Sequence, residues 1–438
     1  MPGGNLQLSI LGEQDMFLTG NPQITYFKTV YRRHTNFSIE TKIVNPPNNT
    51  LENDEDVIVI PKQGDLIYKM SMFIHILKDT KILQETDNQI VNIGTKWLNK
   101  IDFKIGEKII ESLSREWIET YNMLTQENER GIIDIDIDSV DDGEIKYKQT
   151  LFQRLSNSCG KITHIQPDNI LKKPYKSIIP LNFWFCKNSG LSIPICCLKN
   201  QNIELIIDHN LSNLFENSKK INYSLFIDYI HLDVDECKRF KKLSHDYLIE
   251  QVQQIKLQSI KKKDNNFQDV YCYDFELYNP VKQLIWISGD QTNLKSDENN
   301  IPEISFELDD KQWIQKKSIE HYSKKQIYDN YIGPGGLNYV DLLNYIKKAA
   351  NQDKISDYLT EKYDNSFFDD SICVYSFALN PEKNNPSGSC NFSRINKSTI
   401  KYHLNNDKSI DPPNLILFAI NYNILQVKNG SGRLIYSK

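Results

Sequence analysis

The chain has 438 residues, 52 of them basic and 57 acidic, for a formal net charge of −5; that length suits two domains of ordinary size better than one oversized core. A hydrophobic share of 39% and an aromatic share of 11%, with a mean hydropathy of −0.52, speak against both a disordered chain and a membrane-embedded one. Charges of the two signs are interspersed and the longest basic run is Lys261-Lys262-Lys263, which reads as a solvated loop, so no specific nucleic-acid partner is expected.

The first residues, Met1-Pro2-Gly3-Gly4-Asn5-Leu6-Gln7-Leu8, lack the charged and apolar regions of a secretory signal, so the expectation is a chain made and kept in the cytosol. Its eight cysteines, at 159, 186, 196, 197, 237, 272, 373 and 390, are irregularly spaced and include an adjacent pair. Reduced, mostly buried thiols are therefore expected rather than a disulfide framework.

Taken in chain order, the strongest segments alternate with period two, the pattern of strands with one face on a core. From Leu66 to Ile76, residues Leu66, Tyr68, Met70, Met72, Ile74 and Ile76 share a face. A helix is predicted to begin near Ser112 and to carry Leu113, Trp117, Tyr121 and Leu124 on one stripe. Asp134-Ile135-Asp136-Ile137-Asp138 imitates the start of a calcium loop, but the sharp-turn position holds Ser139 and the twelfth holds Ile145, so a strand with an acidic face is the better reading. Phe183-Trp184-Phe185 reads as packing. Alternation returns at Ile203-Leu205-Ile207, Tyr223-Leu225-Ile227-Tyr229, Tyr273-Phe275-Leu277 and Ile416-Phe418-Ile420-Tyr422-Ile424. Two further helices are predicted, Ser244 to Gln253 and Leu337 to Ala350, with Gly333-Pro334-Gly335-Gly336 as a plain surface turn.

No helix alternates regularly with strands, so a parallel sheet is not expected. Many strands joined by polar turns read as β-sandwich or jelly roll. The polar stretch from Leu211 to Lys220 divides the chain into near-equal halves with faintly similar endings, which hints at a duplicated sandwich. The eight histidines, at 34, 75, 164, 209, 231, 245, 321 and 403, form no metal-binding spacing, and no phosphate loop or nucleophile elbow occurs, so no catalytic, cofactor or metal site is expected.

Several strings carry a resemblance. Near the start stand Gly12-Glu13-Gln14-Asp15-Met16-Phe17-Leu18-Thr19-Gly20-Asn21-Pro22-Gln23-Ile24-Thr25-Tyr26-Phe27-Lys28 and Val30-Tyr31-Arg32-Arg33-His34-Thr35-Asn36-Phe37. Later come Pro180-Leu181-Asn182-Phe183-Trp184-Phe185, Asp228-Tyr229-Ile230-His231-Leu232-Asp233, Ser244-His245-Asp246-Tyr247-Leu248-Ile249-Glu250-Gln251, Asn279-Pro280-Val281-Lys282-Gln283-Leu284-Ile285-Trp286, Tyr375-Ser376-Phe377-Ala378-Leu379, Pro386-Ser387-Gly388-Ser389-Cys390-Asn391-Phe392-Ser393-Arg394-Ile395 and Asn421-Tyr422-Asn423. From residue 12 to the end, these resemble the major capsid proteins of nucleocytoplasmic large DNA viruses, a group that includes iridoviruses and chlorella viruses. One departure is Leu308-Asp309-Asp310-Lys311-Gln312-Trp313, where the family often carries an Arg-rich pattern before an aromatic.

The resemblance implies an all-β protein of two consecutive eight-stranded antiparallel jelly rolls with a few short helices in loops. It implies an arm over residues 1–25 at the capsomer base, a first jelly roll over 26–215 and a second over 216–438. It further implies a non-enzymatic homotrimer forming pseudo-hexagonal capsomers of an icosahedral virion, assembled in the host cytoplasm, with minor capsid and penton proteins and the inner viral membrane as partners. Assembly candidates are Gln14, Asp15, Thr19, Gly20, Asn21 and Pro22, where the arm turns into the first strand, and Lys28, Arg32 and Arg33, which suit inner-shell proteins or anionic lipid. Pro386, Gly388, Asn391 and Arg394 form the expected structural turn, with Gly388 permitting the bend. A scaffold or minor capsid paralogue of the same fold remains a rival reading, and a carbohydrate-binding β-sandwich is a rival from another class.

Overall fold

The computed structural model describes the chain apart from residues 1–2, 11, 47–53, 84–88, 92, 127–131, 138–144, 160–161, 165–169, 172, 217–219, 264–268, 289–301, 334–371, 404–413 and 437–438. Two compact units are distinguished, Met1–Asn36 and Phe37–Lys438.

In the larger unit the first eight principal strands are β1 (Phe37–Val44), β2 (Glu55–Val59), β3 (Leu66–Ile76), β4 (Leu98–Ile105), β5 (Lys108–Ser114), β6 (Tyr175–Pro180), β7 (Ile203–His209) and β8 (Ile221–Leu232). They form two antiparallel four-stranded sheets, ordered β1-β8-β3-β6 and β2-β7-β4-β5. The next eight are β9 (His245–Leu257), β10 (Asp269–Phe275), β11 (Pro280–Ser288), β12 (Glu303–Leu308), β13 (Lys311–Ser318), β14 (Ile372–Ser376), β15 (Ser398–His403) and β16 (Leu415–Lys428). Their order is β9-β16-β11-β14 and β10-β15-β12-β13. Numbered within its own half, each set reads 1-8-3-6 and 2-7-4-5, the jelly-roll order, so the fold is one sandwich repeated twice. Short strands at Ile260–Lys263, Cys390–Asn391 and Ser431–Leu434 extend the second pair of sheets.

Alternation places the side chains as the sequence implies in the first sandwich except at the start of β3, where the β3–β8 register shifts and Ile67, not Leu66 or Tyr68, enters the core. Met70, Met72, Ile74 and Ile76 of β3, Ile203, Leu205 and Ile207 of β7, and Ile221, Tyr223, Leu225, Ile227 and Tyr229 of β8 are all buried, and all belong to one core. β16 behaves differently, because both of its faces are buried. Leu415, Leu417 and Ala419 enter the core of the second sandwich, while Ile416, Phe418 and Ile420 enter the core of the first. β14 divides in the same way, with Cys373 in the second core and Ile372 and Val374 in the first. The sheet β9-β16-β11-β14 is thus a wall common to the two sandwiches, which explains why β16 reads as a nearly continuous apolar run.

Helices are few and short among the described residues, and the predicted ones shift. The helix expected from Ser112 is α1, Arg115–Thr125, with Ser114 as N-cap, its side chain accepting from the Trp117 amide at 3.1 Å. Leu113 lies on β5 instead. Of residues 244–253, expected to be helical, 245–253 are part of β9, where they pair with β16 and bury Ile249 in the core while Leu248 stays exposed; the helix in that region is α2, Val234–Lys242, capped by Asp233. Ile132–Ile137 is a strand. The helix expected over 337–350 and residues 334–336 of the glycine turn lie outside the described residues. Gly333 itself is no plain surface turn: its amide donates to the Leu124 carbonyl at 2.8 Å. Lys261 and Lys262 are exposed on the Ile260–Lys263 strand rather than in a loop.

The expected division at 215/216 falls ahead of β8, and β8 pairs with β1 and β3 of the first sandwich, between which it lies. Asp309 and Asp310, in the departing string, both take positive φ (49° and 58°) and close a two-residue hairpin between β12 and β13. Because the sandwiches share a wall, calorimetric melting should show one transition with equal calorimetric and van't Hoff enthalpies; two separate transitions would contradict a common core.

Candidate assembly site

The unit spanning residues 3–36 contains an α-helix at Gly3–Ser9, a 3-10 turn at Glu13–Asp15 and a helical turn at Met16–Thr19. Asp15 organises the two turns. Its carboxylate accepts from the Gly12 amide at 2.8 Å, and its carbonyl accepts from the Thr19 hydroxyl at 2.9 Å. Gly20 ends the turn by donating to the Met16 carbonyl at 3.0 Å, and a Cβ there would stand 2.5 Å from that oxygen. Asn21 follows in the left-handed region at φ 50°, which Asn tolerates better than most residues. Gln14, Pro22, Lys28, Arg32 and Arg33 are exposed.

Exposure of large apolar side chains marks this unit. Tyr26 and Phe27 are 90% and 97% exposed, and Leu8, Ile10, Met16, Leu18, Ile24, Val30 and Tyr31 are also largely in solvent. Monomeric proteins seldom leave so many large apolar side chains in solvent within one short segment. On β1, an edge strand, Phe37, Ile39 and Ile43 are exposed on one face.

The Pro386 to Arg394 string wraps the end of the second sandwich. Gly388 takes φ 145°, and a Cβ would stand 2.5 Å from the Phe377 carbonyl oxygen. The Ser387 hydroxyl accepts from the Asn380 amide at 2.9 Å. Asn391 accepts from the Ser393 amide at 3.1 Å and caps the 3-10 turn Phe392–Arg394, and the Ser393 hydroxyl accepts from the Asn279 amide at 2.8 Å. Arg394 is exposed. Phe183, Trp184 and Phe185 are fully buried around Phe103, so they offer no stacking face to a glycan.

A buried ionic network between the sandwiches is absent from the sequence reading. Lys282, 2% exposed, ion-pairs with Glu250, and Lys187 pairs with the other oxygen of Glu250 at 3.0 Å. The Lys187 ammonium lies 4.5 Å from the centre of the Tyr121 ring. The Tyr121 hydroxyl donates to Glu382 at 3.0 Å, and Tyr331 donates to Gln283 at 2.5 Å. Lys187 and Tyr121 belong to the first half; Glu250 is on β9 and Lys282 on β11. Lys282 sits where the β11–β16 register shifts, between Val281 and Gln283, and such a bulge re-aims a side chain. Burial pushes the Glu250 carboxyl up, but Lys187 and Lys282 more than offset it and hold the carboxyl below its ordinary value. Burial pushes Glu111 up to about 8, and the charge of Lys187 offsets this only in part; one of its oxygens accepts from the Trp184 amide at 3.3 Å. A charged residue inside an apolar strand, as in Pro280-Val281-Lys282-Gln283-Leu284-Ile285-Trp286, was the available signal.

The comparisons with known proteins fit this architecture. A family model for the N-terminus of major capsid proteins matches residues 25–233, and one for large eukaryotic DNA virus major capsid proteins matches residues 362–433. The major capsid protein of Pyramimonas orientalis virus is 30% identical over the whole of both chains. The chain belongs to the major capsid protein family of large DNA viruses. The major capsid protein of Paramecium bursaria Chlorella virus 1 is 26% identical, again over both whole chains. In fold, the capsid protein resembles PBCV-1 VP54 with a TM-score of 0.67 at 21% identity, covering 94% of this chain and 100% of that one. It resembles the Faustovirus major capsid protein with a TM-score of 0.60 at 12% identity, covering 95% and 94%. Membership places the protein in the virion, in a capsid built by self-association.

Two variants test the network. Glu250→Gln leaves two ammonium groups facing each other in the interior and should lower unfolding stability by about 3–5 kcal/mol in denaturant titrations. Glu111 has a folded value above its unfolded one, so its contribution is complete at acid pH and is lost as pH rises through about 8. Glu111→Gln, which keeps an acceptor for the Trp184 amide, should therefore match the parent at low pH and exceed it in stability above that value.

Proposed function

We propose that this capsid protein is the shell-forming subunit itself: three chains close into a pseudo-hexagonal capsomer, and capsomers tile an icosahedral shell assembled in the host cytoplasm. The observation that carries the reading is the repeat of one strand order, 1-8-3-6 and 2-7-4-5, on a common wall. Two like sandwiches held rigidly side by side give each chain two similar outer edges, and a three-fold ring of such chains presents six. Obligate contacts of this kind bury roughly 2,000 Å² or more.

The domain division that follows the sheets puts the arm at residues 1–36, the first jelly roll at 37–232 and the second from 245 onward, with α2 as the connection. In this reading the exposed apolar side chains of the arm, from Leu8 to Tyr31, are covered by neighbouring subunits or by minor capsid and penton proteins. Gln14, Asp15, Thr19, Gly20, Asn21 and Pro22 shape the arm's turn. Lys28, Arg32 and Arg33 supply positive charge suited to the inner viral membrane or acidic inner proteins. Pro386, Gly388, Asn391 and Arg394 act as a structural turn that keeps the end of the second sandwich closed. The role is structural and uses no catalytic residue. A paralogue reading keeps some footing, since a probable capsid protein 4 of Acanthamoeba polyphaga mimivirus is 24% identical over 100% of this chain; abundance in purified virions separates the two.

Native mass spectrometry of the purified protein should give a mass of three chains, stable on dilution; a persistent monomer would contradict the proposal. A chain lacking residues 1–36 should lose recruitment of inner-shell proteins in assembly reactions, and unchanged recruitment would refute the role given to the arm.

A further inference from the structure

Among the described residues, three metal-ligating side chains from separate elements converge where the chain leaves the first sandwich. Asp65 directly precedes β3, Cys196 lies in the 3-10 turn Ile195–Cys197, and Cys237 lies in α2. Their ligand atoms all lie within 4.8 Å of one another. The Cys237 thiol donates to Asp65 Oδ1 at 3.0 Å. The sulfur of Cys196 stands 3.7 Å from that of Cys197, whose thiol donates to the Phe240 carbonyl at 3.2 Å.

The scaffold under these side chains is fixed. Asp65 donates its amide to the Ile230 carbonyl at 3.0 Å and accepts from the Cys196 amide at 3.0 Å, while Asp65 Oδ2 accepts from the Leu232 amide at 3.0 Å. Cys237 is buried, whereas Asp65 and Cys196 are half-buried, leaving a side from which an ion can enter.

We propose that Asp65, Cys196 and Cys237, with a water in the fourth position, form a structural site for one thiophilic divalent cation, zinc by chemistry. Two sulfurs bound to zinc at about 2.3 Å in a tetrahedral site stand about 3.8 Å apart, within the 4.8 Å that bounds the three ligand atoms here. A disulfide requires about 2.05 Å. A sulfur and a carboxylate oxygen on the same ion stand about 3.5 Å apart, so Asp65 and Cys237 part by about half an ångström as the proton between them leaves. Binding displaces two thiol protons to solvent, leaving two thiolates and one carboxylate around the ion, and Cys197 keeps its bond to the Phe240 carbonyl. The ammonium of Lys241, whose charge acts on Cys237 and Asp65, offsets part of the resulting negative charge. A metal-free cluster gives the Cys237 thiol an acceptor but leaves the Cys196 sulfur facing another sulfur. Zinc would clamp α2 to the start of β3 and fix the path between the sandwiches.

The test uses the full-length chain, expressed with zinc in the medium and purified under reducing conditions without chelator. Elemental analysis should find about one zinc per chain. Exchange for cobalt(II) should give thiolate-to-cobalt charge transfer in the near ultraviolet and tetrahedral bands in the visible. Cys196→Ser and Cys237→Ser should lower metal content and charge-transfer intensity roughly tenfold or more, while Cys272→Ser, on β10 in the second sandwich, should change neither. Should a ligand variant fail to fold, the cobalt spectrum of the parent decides alone. A folded parent with no stoichiometric metal and no cobalt bands, or a disulfide joining Cys237 to either neighbour in protein kept reduced, overturns the proposal.

Discussion

The relative placement of the two sandwiches depends on one wall whose two faces are both dry. β16 sends Leu415, Leu417 and Ala419 one way and Ile416, Phe418 and Ile420 the other, so neither sandwich can turn on the other without exposing apolar surface. At about 25 cal/mol per Å² of apolar area, uncovering even one face of such a sheet costs many kcal/mol. Beside that wall, Glu250 is held between Lys187 and Lys282. Buried ion pairs add little net stability, but their geometry admits few alternatives, and a misplaced sandwich would strand charge in the interior. Apolar burial supplies the adhesion, and the ionic network supplies the register.

That rigidity is what a shell built from repeated contacts requires. Membership in the major capsid protein family follows from 30% identity over whole chains, and the likeness of fold to PBCV-1 VP54 and the Faustovirus protein extends over nearly the whole chain. A repeat of one sandwich within a chain lets a small symmetric ring present twice as many edges as it has subunits. The loops at the sandwich ends are then free to vary, because the strands and the wall carry the geometry.

Much of this was legible in the sequence. Period-two alternation located β3, β7 and β8 because each has one dry face, and the spaced apolar stripe located α1 because Trp117, Tyr121 and Leu124 fall on one side. Residues 244–253 misled because Leu248, Ile249 and Val252 mimic helical spacing, although on the strand Ile249 is buried and Leu248 is exposed. The division at 215/216 was drawn at a polar stretch, yet β8 follows that stretch and closes the first sandwich; turn composition marks a loop without saying whether the chain returns. Lys282 and Glu250 were hidden in strings noticed for their resemblance, and their pairing needs contacts 32 residues apart in sequence. Asp65, Cys196 and Cys237 escaped a search for short metal spacings because three distant elements deliver them.

The account stands or falls on whether two like sandwiches on a shared wall give a three-chain particle six similar edges. Class-averaged electron micrographs of the purified protein measure this most directly. The account predicts a particle of three chains with a hexagonal outline and six lobes. Single two-lobed chains, or a three-lobed triangular particle with the sandwiches of each chain stacked along the axis, would contradict it.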